Sequence, residues 1–451
     1  MSAHTDGTGE FPYPETDYQE TNRGQFHFST RAGWMNDVNA PLYYRGVYHL
    51  YYQHAPHSLV WDTMHWGHAT STDLVHWEQR PIALDPKIHP GDLWSGGGVV
   101  DTENTSGLKA GDHDPIIVYS GTNGVTVFSS LDGGDTFTPY DGGRKVVTPG
   151  GTSRDPKVFR DRERWGMVVW SDEGGNGVDF YTSANLLDWT FASRFPADWL
   201  FECPNFVRMP IDDGHRWVLH DAGGQYLAGD WDGTAFRTDW TAPQKINQTK
   251  TFAGAGYYAA LTFENPPDDR VVSMAWQGEN RGSIWTGNAS FPVEQRLRHT
   301  ADGLRVTSTP IRELALLHEH SQQWTGLTIA NGKQRFPAGR AYELQATIAL
   351  ADTAGFTIRL RPAPEGAARE IVYDGETLDG APLSPVDGKL RLQLLIDHGQ
   401  LDVFANDGIV YQSYNVNFGD HPGPTDVELE TTGTLVIESL TINQLASIWK
   451  H

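Results

Sequence analysis

The sequence predicts an all-β chain in which a β-propeller is followed by a β-sandwich. Short aromatic-rich runs such as 46–55 alternate between two faces and are separated by Gly, Asp and Asn. Alternation with a period of two residues is typical of β-strands. Four similar segments, each a strand, a hydroxyl residue, an Asp or Asn and a closing aromatic, end at Trp77, Phe137, Trp189 and Phe236. Repeats of roughly 40–50 residues with several strands each indicate propeller blades.

Longer alternating runs joined by tight turns follow the one good helix candidate, Pro310–His320. Six or more such strands in the C-terminal part suit a β-sandwich. We therefore expect the propeller in residues 1–309, with an N-terminal extension over 1–24. A helical linker over 310–322 then leads to the sandwich in 323–451.

The composition excludes several classes of function. The 451 residues include 34 Lys and Arg against 57 Asp and Glu, so the net charge is −23. A negative field repels phosphate backbones and anionic lipids, so we expect no nucleic-acid partner and no membrane partner. The single cysteine, Cys203, allows no internal disulfide and no cysteine-based metal cluster. We expect no cofactor.

The N-terminal residues contain neither the basic nor the apolar segment of a signal peptide. We therefore expect either a cytoplasmic protein or an exported one whose signal has been removed. Nothing in the strands marks a subunit interface, so a monomer and a homodimer both stay open.

Three carboxylates stand out because they lie in aromatic, Gly-rich turns: Asp37, Asp155 and Glu202. The inner strands of successive blades converge on one axis, so side chains distant in sequence can meet there. Paired carboxylates in an aromatic pocket are the groups that glycoside hydrolysis needs. Taken alone, however, an Asp in a turn more often closes that turn than catalyses a reaction.

Local neighbours predict different protonation states for two of these groups. Glu202 is flanked by Phe201 and Cys203, and apolar surroundings raise the pKa of a carboxyl group. Asp155 follows Arg154, so we expect it to stay ionised. Flat apolar faces for a sugar are expected from the tryptophans of the same region, namely Trp34, Trp61, Trp66, Trp94 and Trp276.

Six sequence motifs that occur in a fixed order allow a more specific interpretation. They are WMNDVNA from Trp34, YHLYYQHAP from Tyr48, HWGHATSTDLVHW from His65, WSGGGVV from Trp94, and the short SRDPK and FECPNF at 153–157 and 201–206. In this order they resemble glycoside hydrolase family 32, the β-fructosidases, and LLIDHGQLDVFANDG near the C-terminus extends the resemblance to both domains. The resemblance implies a five-bladed propeller, a C-terminal sandwich and a retaining reaction on a carbohydrate such as sucrose or a β-fructan.

The resemblance also implies roles for the matching residues. Asp37 would be the nucleophile, Glu202 the general acid/base, and Asp155 the stabiliser of the transition state through fructose hydroxyls. The substrate site would further contain Asn36, Gln53, Trp61, Trp94, Ser95, Arg154, Tyr258 and Trp276.

Two departures from the family pattern leave the substrate open. Val38 and Ala40 stand where the family usually has Pro and Gly, and Gly256 opens a segment that reads Asp-Phe-Tyr-Ala in many members. Sucrose, inulin and levan all remain candidates. So does transfer to a sugar acceptor, or within the substrate to give a difructose anhydride.

Three other interpretations are weaker. Ser129–Phe137 resembles the Asp-box turn of sialidases, but the arginine cluster those enzymes need is missing. A non-catalytic carbohydrate-binding propeller would not need all three carboxylates. The third interpretation is a metal site, because the spacing of His65 and His68 resembles that of metal ligands and His54 and His57 are nearby in the sequence. In a strand, that spacing puts the two side chains on opposite faces, so we expect no metal.

Overall fold

The structure is a computed structural model, and the residues it describes are 16–212, 214–249, 256–278, 282–301, 303–350, 355–360, 369–416, 418 and 426–449. Residues 1–15 of the expected N-terminal extension lie outside these ranges. The described helices are two 3-10 turns, Tyr140–Gly143 and Arg312–Leu317. No helix of the described part is long and apolar enough to cross a membrane.

Three antiparallel sheets follow one another from residue 33 to residue 196. Blade I has β1 Gly33–Tyr44, β2 Val47–Ala55, β3 His65–Ser71 and β4 Glu78–Leu84. Blade II has β5 Gly98–Val100, β6 Ile116–Ser120, β7 Val125–Ser130, β8 Thr138–Pro139 and β9 Lys145–Val147. Blade III has β10 Ser153–Asp161, β11 Arg164–Ser171, β12 Gly177–Ser183 and β13 Thr190–Pro196.

Two further antiparallel groups share one nine-stranded sheet. Blade IV has β14 Asn205–Ile211, β15 Gly214–His220, β16 Gln225–Trp231, β17 Phe236–Arg237 and β18 Gln244–Lys245. Blade V has β19 Tyr258–Thr262, β20 Val271–Trp276, β22 Val293–Thr300 and β23 Gly303–Pro310, with β21 Trp285–Thr286 between them in sequence. The two groups are joined by a single parallel bridge from Ile211 to Leu297.

The five groups form a closed ring. Their first strands, β1, β5, β10, β14 and β19, contact one another in that order, and β19 contacts β1 again. The ring is also closed by hydrogen bonds, because β21 pairs in parallel with β1 of blade I. The predicted propeller is therefore confirmed, and the grouping agrees with five blades.

The two faces of each strand pack against different neighbouring blades. On β2, Tyr48, Leu50 and Tyr52 join the core shared with blade V, while Tyr51 joins the core shared with blade II. The period-two pattern of this segment was predicted correctly. Both of its faces are buried because a blade is covered by a neighbour on each side.

The repeated segments are the turns between the third and fourth strands of blades I to IV. In blade I, the Asp73 carboxylate accepts hydrogen bonds from the backbone N–H groups of Val75 and His76 at 3.1 and 2.8 Å. Closing aromatics such as Trp77, 5% exposed, then insert into the core. The Asp-box-like segment Ser129–Phe137 belongs to this set, so it closes a turn.

The C-terminal strands form one ten-stranded sheet. Its strands are β24 His318–Pro337, β25 Tyr342–Ala349, β26 Phe356–Leu360, β27 Arg369–Tyr373, β28 Thr377–Leu378, β29 Ala381–Pro382, β30 Lys389–Ile396, β31 Gln400–Ala405, β32 Val410–Asn415 and β33 Asp426–Leu445. The long strand β33 pairs with β24 along its length, with β26 near its start and with β25 near its end. The sheet thereby folds into the two layers of the sandwich.

The expected helical linker is shorter and of a different kind. Where Pro310–His320 was predicted to be helical, a single 3-10 turn spans Arg312–Leu317. Strand β24 already begins at His318, inside the range 310–322. The apolar spacing that suggested a helix serves the domain junction instead, since Leu314 and Leu317 are buried in the core shared by both domains.

A buried ion cluster ties the segment before β1 to the sandwich. His27 contacts Asp397 through Nδ1 at 3.0 Å and Asp402 through Nε2 at 2.8 Å, and all three side chains are 0% exposed. Backbone N–H groups of Gln25, Phe26 and His27 also donate to Asp397. Burial alone lowers the pKa of His27, but the two carboxylates outweigh it and raise the pKa to about 9.

We expect His27→Gln to lower the free energy of unfolding by about 3 kcal/mol near pH 6, because two buried carboxylates lose their cation. An unfolded histidine has a pKa of about 6.5. The contribution of His27 is therefore complete below that pH and is lost as the pH rises towards 9. Thermal unfolding between pH 6 and 9.5 should show the gap between wild type and variant closing.

His76→Gln is the matched control, since His76 pairs with Asp73 at 2.8 Å with its side chain 44% exposed. An exposed pair of this kind contributes at most about 1 kcal/mol. A loss for His27→Gln that is equal at pH 6 and pH 9.5 would contradict a role that depends on the charge.

Candidate active site

The three candidate carboxylates meet at the axis of the propeller. Asp37 lies in β1, Asp155 in β10, and Glu202 in the turn just before β14. The thiol of Cys203 lies between two of them, with Sγ 3.4 Å from Asp37 Oδ2 and 3.5 Å from Asp155 Oδ2. Inner strands from different blades thus bring together groups that are far apart in sequence.

Irregular backbone conformations orient the side chains of the three carboxylates. The β1–β2 register shifts between Met35 and Val38, and the β10–β11 register shifts between Arg154 and Lys157. Such bulges turn a strand locally and re-aim its side chains. Asp155, Glu202 and Cys203 have φ values of 61°, 46° and 42°. This left-handed conformation costs non-glycine residues about 1–3 kcal/mol each, so the surrounding fold must hold it.

Asp37 is buried and receives a short hydrogen bond. The hydroxyl of Ser95 donates to Asp37 Oδ2 at 2.6 Å. Burial and the nearby charge of Glu202 raise the pKa of Asp37, while the bonds from Ser95 and Asn36 work against that rise. Asn36 is itself held, because its Oδ1 accepts the indole N–H of Trp34 at 2.8 Å.

Asp155 does not have the ionised state expected from its neighbour Arg154. Burial, followed by the charge of Glu202, raises the pKa of Asp155 to about 8. The backbone N–H of Cys203 donates to Asp155 at 2.9 Å and opposes the rise, as Arg154 does more weakly. Arg154 lies 3.6 Å from Asp155 but directs its hydrogen bonds elsewhere.

Glu202 has a polar environment rather than the apolar one expected from its sequence neighbours. Arg154 donates to Glu202 Oε2 through Nε and Nη2, both at 3.0 Å, and the Tyr258 hydroxyl donates to Oε1 at 2.6 Å. Burial and Glu202 raise the pKa of Tyr258 far above its ordinary value, so the phenol keeps its proton. Phe201 is 47% exposed, so it does not give Glu202 the apolar surroundings that we expected.

The contacts of Cys203 with Asp37 and Asp155, and of Trp170 with Arg154, were not expected from the sequence. Burial and the charges of Asp155 and Asp37 raise the pKa of the Cys203 thiol well above its ordinary value, so it remains a neutral donor. The Arg154 guanidinium lies 4.1 Å from the ring centre of Trp170. Trp170 occurs in an ordinary strand pattern, and no sequence signal connects it with Arg154.

Four of the five tryptophans predicted for the site form two pairs, and the fifth is buried in a core. Trp34 meets Trp276 edge to face at 5.8 Å, and Trp61 meets Trp94 edge to face at 5.9 Å. Trp61 is 54% exposed. By contrast, Trp66 is fully buried in the core between blades I and II, so it is not the sugar platform we expected.

Gln53 and the histidines have structural partners. Gln53 is buried and donates through Nε2 to the Leu93 carbonyl at 2.9 Å. His65 and His68 lie on opposite faces of β3: His65 contacts the Thr63 carbonyl, and His68 contacts His49. In the described ranges, no group of three His, Cys, Asp or Glu side chains has the arrangement of a metal site.

A cavity of about 280 Å³ opens next to Glu202. Its lining includes Phe201, which precedes Glu202, and Tyr258, which donates to it. Trp199, Asp221 and Lys245 line it further out. A narrow space beside the carboxylates, here called the carboxylate pocket, is lined by Ser95, Asp155 and Cys203 among others. The site therefore combines this pocket with a wider space of mixed polar and aromatic character.

Known proteins are similar to this chain over most of its length. The sequence profile of the glycosyl hydrolases family 32 N-terminal domain matches residues 27–310. A levanase from Bacillus subtilis is 33% identical, over 96% of this chain and 72% of the levanase. An invertase from Schizosaccharomyces pombe is 34% identical, over 97% of this chain and 87% of the invertase.

Solved structures show the same architecture. The exo-inulinase from Aspergillus awamori superposes with a TM-score of 0.85 at 25% identity, over 96% of this chain and 100% of that one. A β-fructofuranosidase from Schwanniomyces occidentalis, complexed with fructosyl-erythritol, gives a TM-score of 0.83 at 25% identity, over 96% and 99% of the two chains.

We expect Asp155→Asn to stabilise the protein at alkaline pH. The folded protein keeps a proton on Asp155 up to about pH 8, whereas the unfolded chain releases it near pH 3.9. Wild-type stability therefore falls as the pH rises through this window, and asparagine removes that dependence. Thermal unfolding should show a gain of about 1–2 kcal/mol at pH 8 and a smaller gain at pH 4.5.

Asp179→Asn is the control on the same blade. Asp179 is also buried, but its carboxylate pairs with Arg194 at 2.7 Å. Its replacement should lower stability because it leaves the Arg194 charge without its partner. If Asp155→Asn destabilised the protein in the same way, Asp155 would be an ordinary paired carboxylate.

Proposed function

Because the chain belongs to glycoside hydrolase family 32 and is a β-fructofuranosidase of that family, we propose that it removes terminal fructofuranosyl residues from sucrose or a β-fructan with retention. The observation that carries the proposal is the cluster of Asp37, Asp155 and Glu202 around the Cys203 thiol. The Cys203 thiol touches Asp37, and the charge of Glu202 acts on Asp37, so the proposed acid and nucleophile lie close to each other. That pairing is what a double displacement at a glycosidic carbon requires.

The proposed reaction has two displacements. An ionised oxygen of Asp37 attacks the anomeric carbon of fructose, and the bond from that carbon to the leaving oxygen breaks. Glu202 gives its proton to the leaving oxygen. In the second step Glu202 takes a proton from water, the water oxygen attacks the same carbon, and Asp37 leaves as a carboxylate.

The remaining polar groups assist these two steps. The Ser95 hydroxyl orients Asp37 from one side, and the Cys203 thiol donates to it from another. Asp155 holds a proton in the free site, which limits the number of negative charges that meet at the axis. In the proposed complex, Asp155 bonds fructose hydroxyls, and Arg154 and Tyr258 hold the Glu202 carboxyl group in place.

The leaving group would occupy the cavity next to Glu202. Phe201 and Trp199 offer aromatic surface there, and Asp221 and Lys245 offer polar contacts. Aromatic faces suit the C–H side of a sugar ring, and polar groups suit its hydroxyls. Both a glucose and a second fructose satisfy this chemistry, which is why sucrose, inulin and levan all remain substrates to test.

Product analysis with purified protein and sucrose, inulin or levan tests the activity and ranks the substrates. We expect free fructose from at least one of the three, detected by anion-exchange chromatography. Oligosaccharides or a difructose anhydride without free fructose would instead identify a transferase, in which a sugar hydroxyl reaches the fructosyl-enzyme before water does. No product from any substrate would contradict the proposal.

We expect Asp37→Ala to reduce kcat by roughly 10³-fold or more, since removal of a nucleophile leaves only binding and electrostatic assistance. Asp135→Ala is the control, because the Asp135 side chain is 55% exposed at the edge of blade II and pairs with Arg80. Wild-type turnover by Asp37→Ala would move the nucleophile to another residue.

Retention is tested by adding methanol to the wild-type reaction and identifying the glycoside by NMR. A double displacement delivers the fructosyl group to methanol from the face that the leaving group vacated. We therefore expect methyl β-fructofuranoside, whereas the α-anomer would show a single displacement.

A further inference from the structure

A second groove lies on the sandwich, away from the carboxylates. Its volume is about 420 Å³, and its lining comes from the sandwich strands together with Thr309 at the end of the propeller. None of the residues that line the carboxylate pocket belong to it. The groove is larger than the cavity next to Glu202, which is about 280 Å³.

The floor of the groove is a cross-strand row of four polar side chains that ends at the buried Phe404. Gln323 pairs with Thr441, Thr441 with Gln345, Gln345 with Gln393, and Gln393 with Phe404. Residues at directly opposed positions of neighbouring strands project from the same face of a sheet. The row therefore runs across five adjacent strands, β24, β33, β25, β30 and β31.

A buried carboxylate fixes the two central amides. Glu343 is 1% exposed, and its Oε1 accepts hydrogen bonds from the Nε2 atoms of Gln345 and Gln393, both at 2.6 Å. Its Oε2 accepts from Asn443 at 2.8 Å. Both amide nitrogens are directed to Glu343, so the carbonyl oxygens of these two lining residues take no part in that contact and can accept hydrogen bonds from a ligand. Groups oriented before a ligand arrives lose little entropy on binding.

The charges of the groove cancel. Arg391 and Asp407, which line it, pair with each other at 2.7 Å. The neighbouring lining residues Thr347 and Ser439 carry neutral hydroxyl groups. In a chain of net charge −23, a neutral strip of amides and hydroxyls fits a neutral, polyhydroxylated ligand and offers nothing to a polyanion.

We propose that this groove binds a segment of a β-fructan chain while another part of the polymer is at the carboxylate site. The hydroxyl-rich ligand class follows from the groove itself, and its identification as a fructan rests on the proposed function. Sugar hydroxyls donate to the carbonyl oxygens of Gln345 and Gln393 and exchange hydrogen bonds with the hydroxyls beside them. The groove and the carboxylate pocket share no lining residue, so we expect a polymer, and not sucrose, to engage both.

The test uses the double variant Gln345→Ala/Gln393→Ala in the full chain. In native gels containing levan or inulin, we expect the polymer to slow this variant less than it slows wild type. The affinity for the polymer should fall about 10-fold, because two hydrogen bonds are lost. KM for the polymer should rise by a similar factor, while kcat/KM for sucrose stays within about 2-fold of wild type. Gln334→Ala, on β24 but outside the groove, should behave as wild type.

A second variant covers the case in which the double variant fails to fold. Thr347→Trp fills the groove without removing a bond to Glu343, and it should give the same loss of retardation. Unchanged retardation by folded variants, or wild type that is not retarded by either polymer, would overturn the inference. So would sedimentation showing that the groove variants dissociate a dimer, because a second copy would then cover this face.

The outcomes separate the groove from the catalytic proposal. If wild type releases fructose but the groove variants bind polymer normally, only the groove inference fails. If no fructose appears from sucrose, inulin or levan, the catalytic proposal fails independently of any gel result.

Discussion

The active site depends on the short pairing that closes the ring of blades. Gly33 pairs with Trp285, and Trp34 pairs with Thr286, in the parallel direction. Asp37 follows these residues on the same strand, so the closure fixes where the axis and the carboxylate meet. The segment before β1 also packs against this closing pair of strands. The guanidinium of Arg23 is 0% exposed and lies 3.7 Å from the ring centre of Trp285.

Closure has an electrostatic consequence, because it forces like charges together. Burial raises the pKa values of Asp37 and Asp155, and the charge of Glu202 raises both further, so the three carboxyl groups do not all ionise without strong repulsion. Left-handed backbone at Asp155 and Glu202 adds local strain. The rigid interblade cores and the buried His27 cluster supply the stability that a strained and repulsive site requires.

Much of this could be predicted from the sequence because it is local. The turns closed as at Asp73 and the period-two strands predict blades, and the ordered motifs around Asp37 and Glu202 predict residues that the structure brings together. Features that depend on long-range pairing were not visible. Strand β21 has only two residues, the bond from Arg154 to Glu202 spans 48 positions in sequence, and Trp66 faces a core because another blade covers it.

The distribution of charge suggests how the two domains divide their tasks. Charged groups gather where a bond is proposed to break, and the sandwich groove presents amides and paired charges instead. Contacts far from the reacting carbon that are equal in the bound and transition states strengthen binding without accelerating the chemical step. Binding at Gln345 and Gln393 can therefore change the affinity for a polymer independently of the chemistry at Asp37. Under this arrangement the length of the substrate, rather than the linkage at its end, decides how much the sandwich contributes.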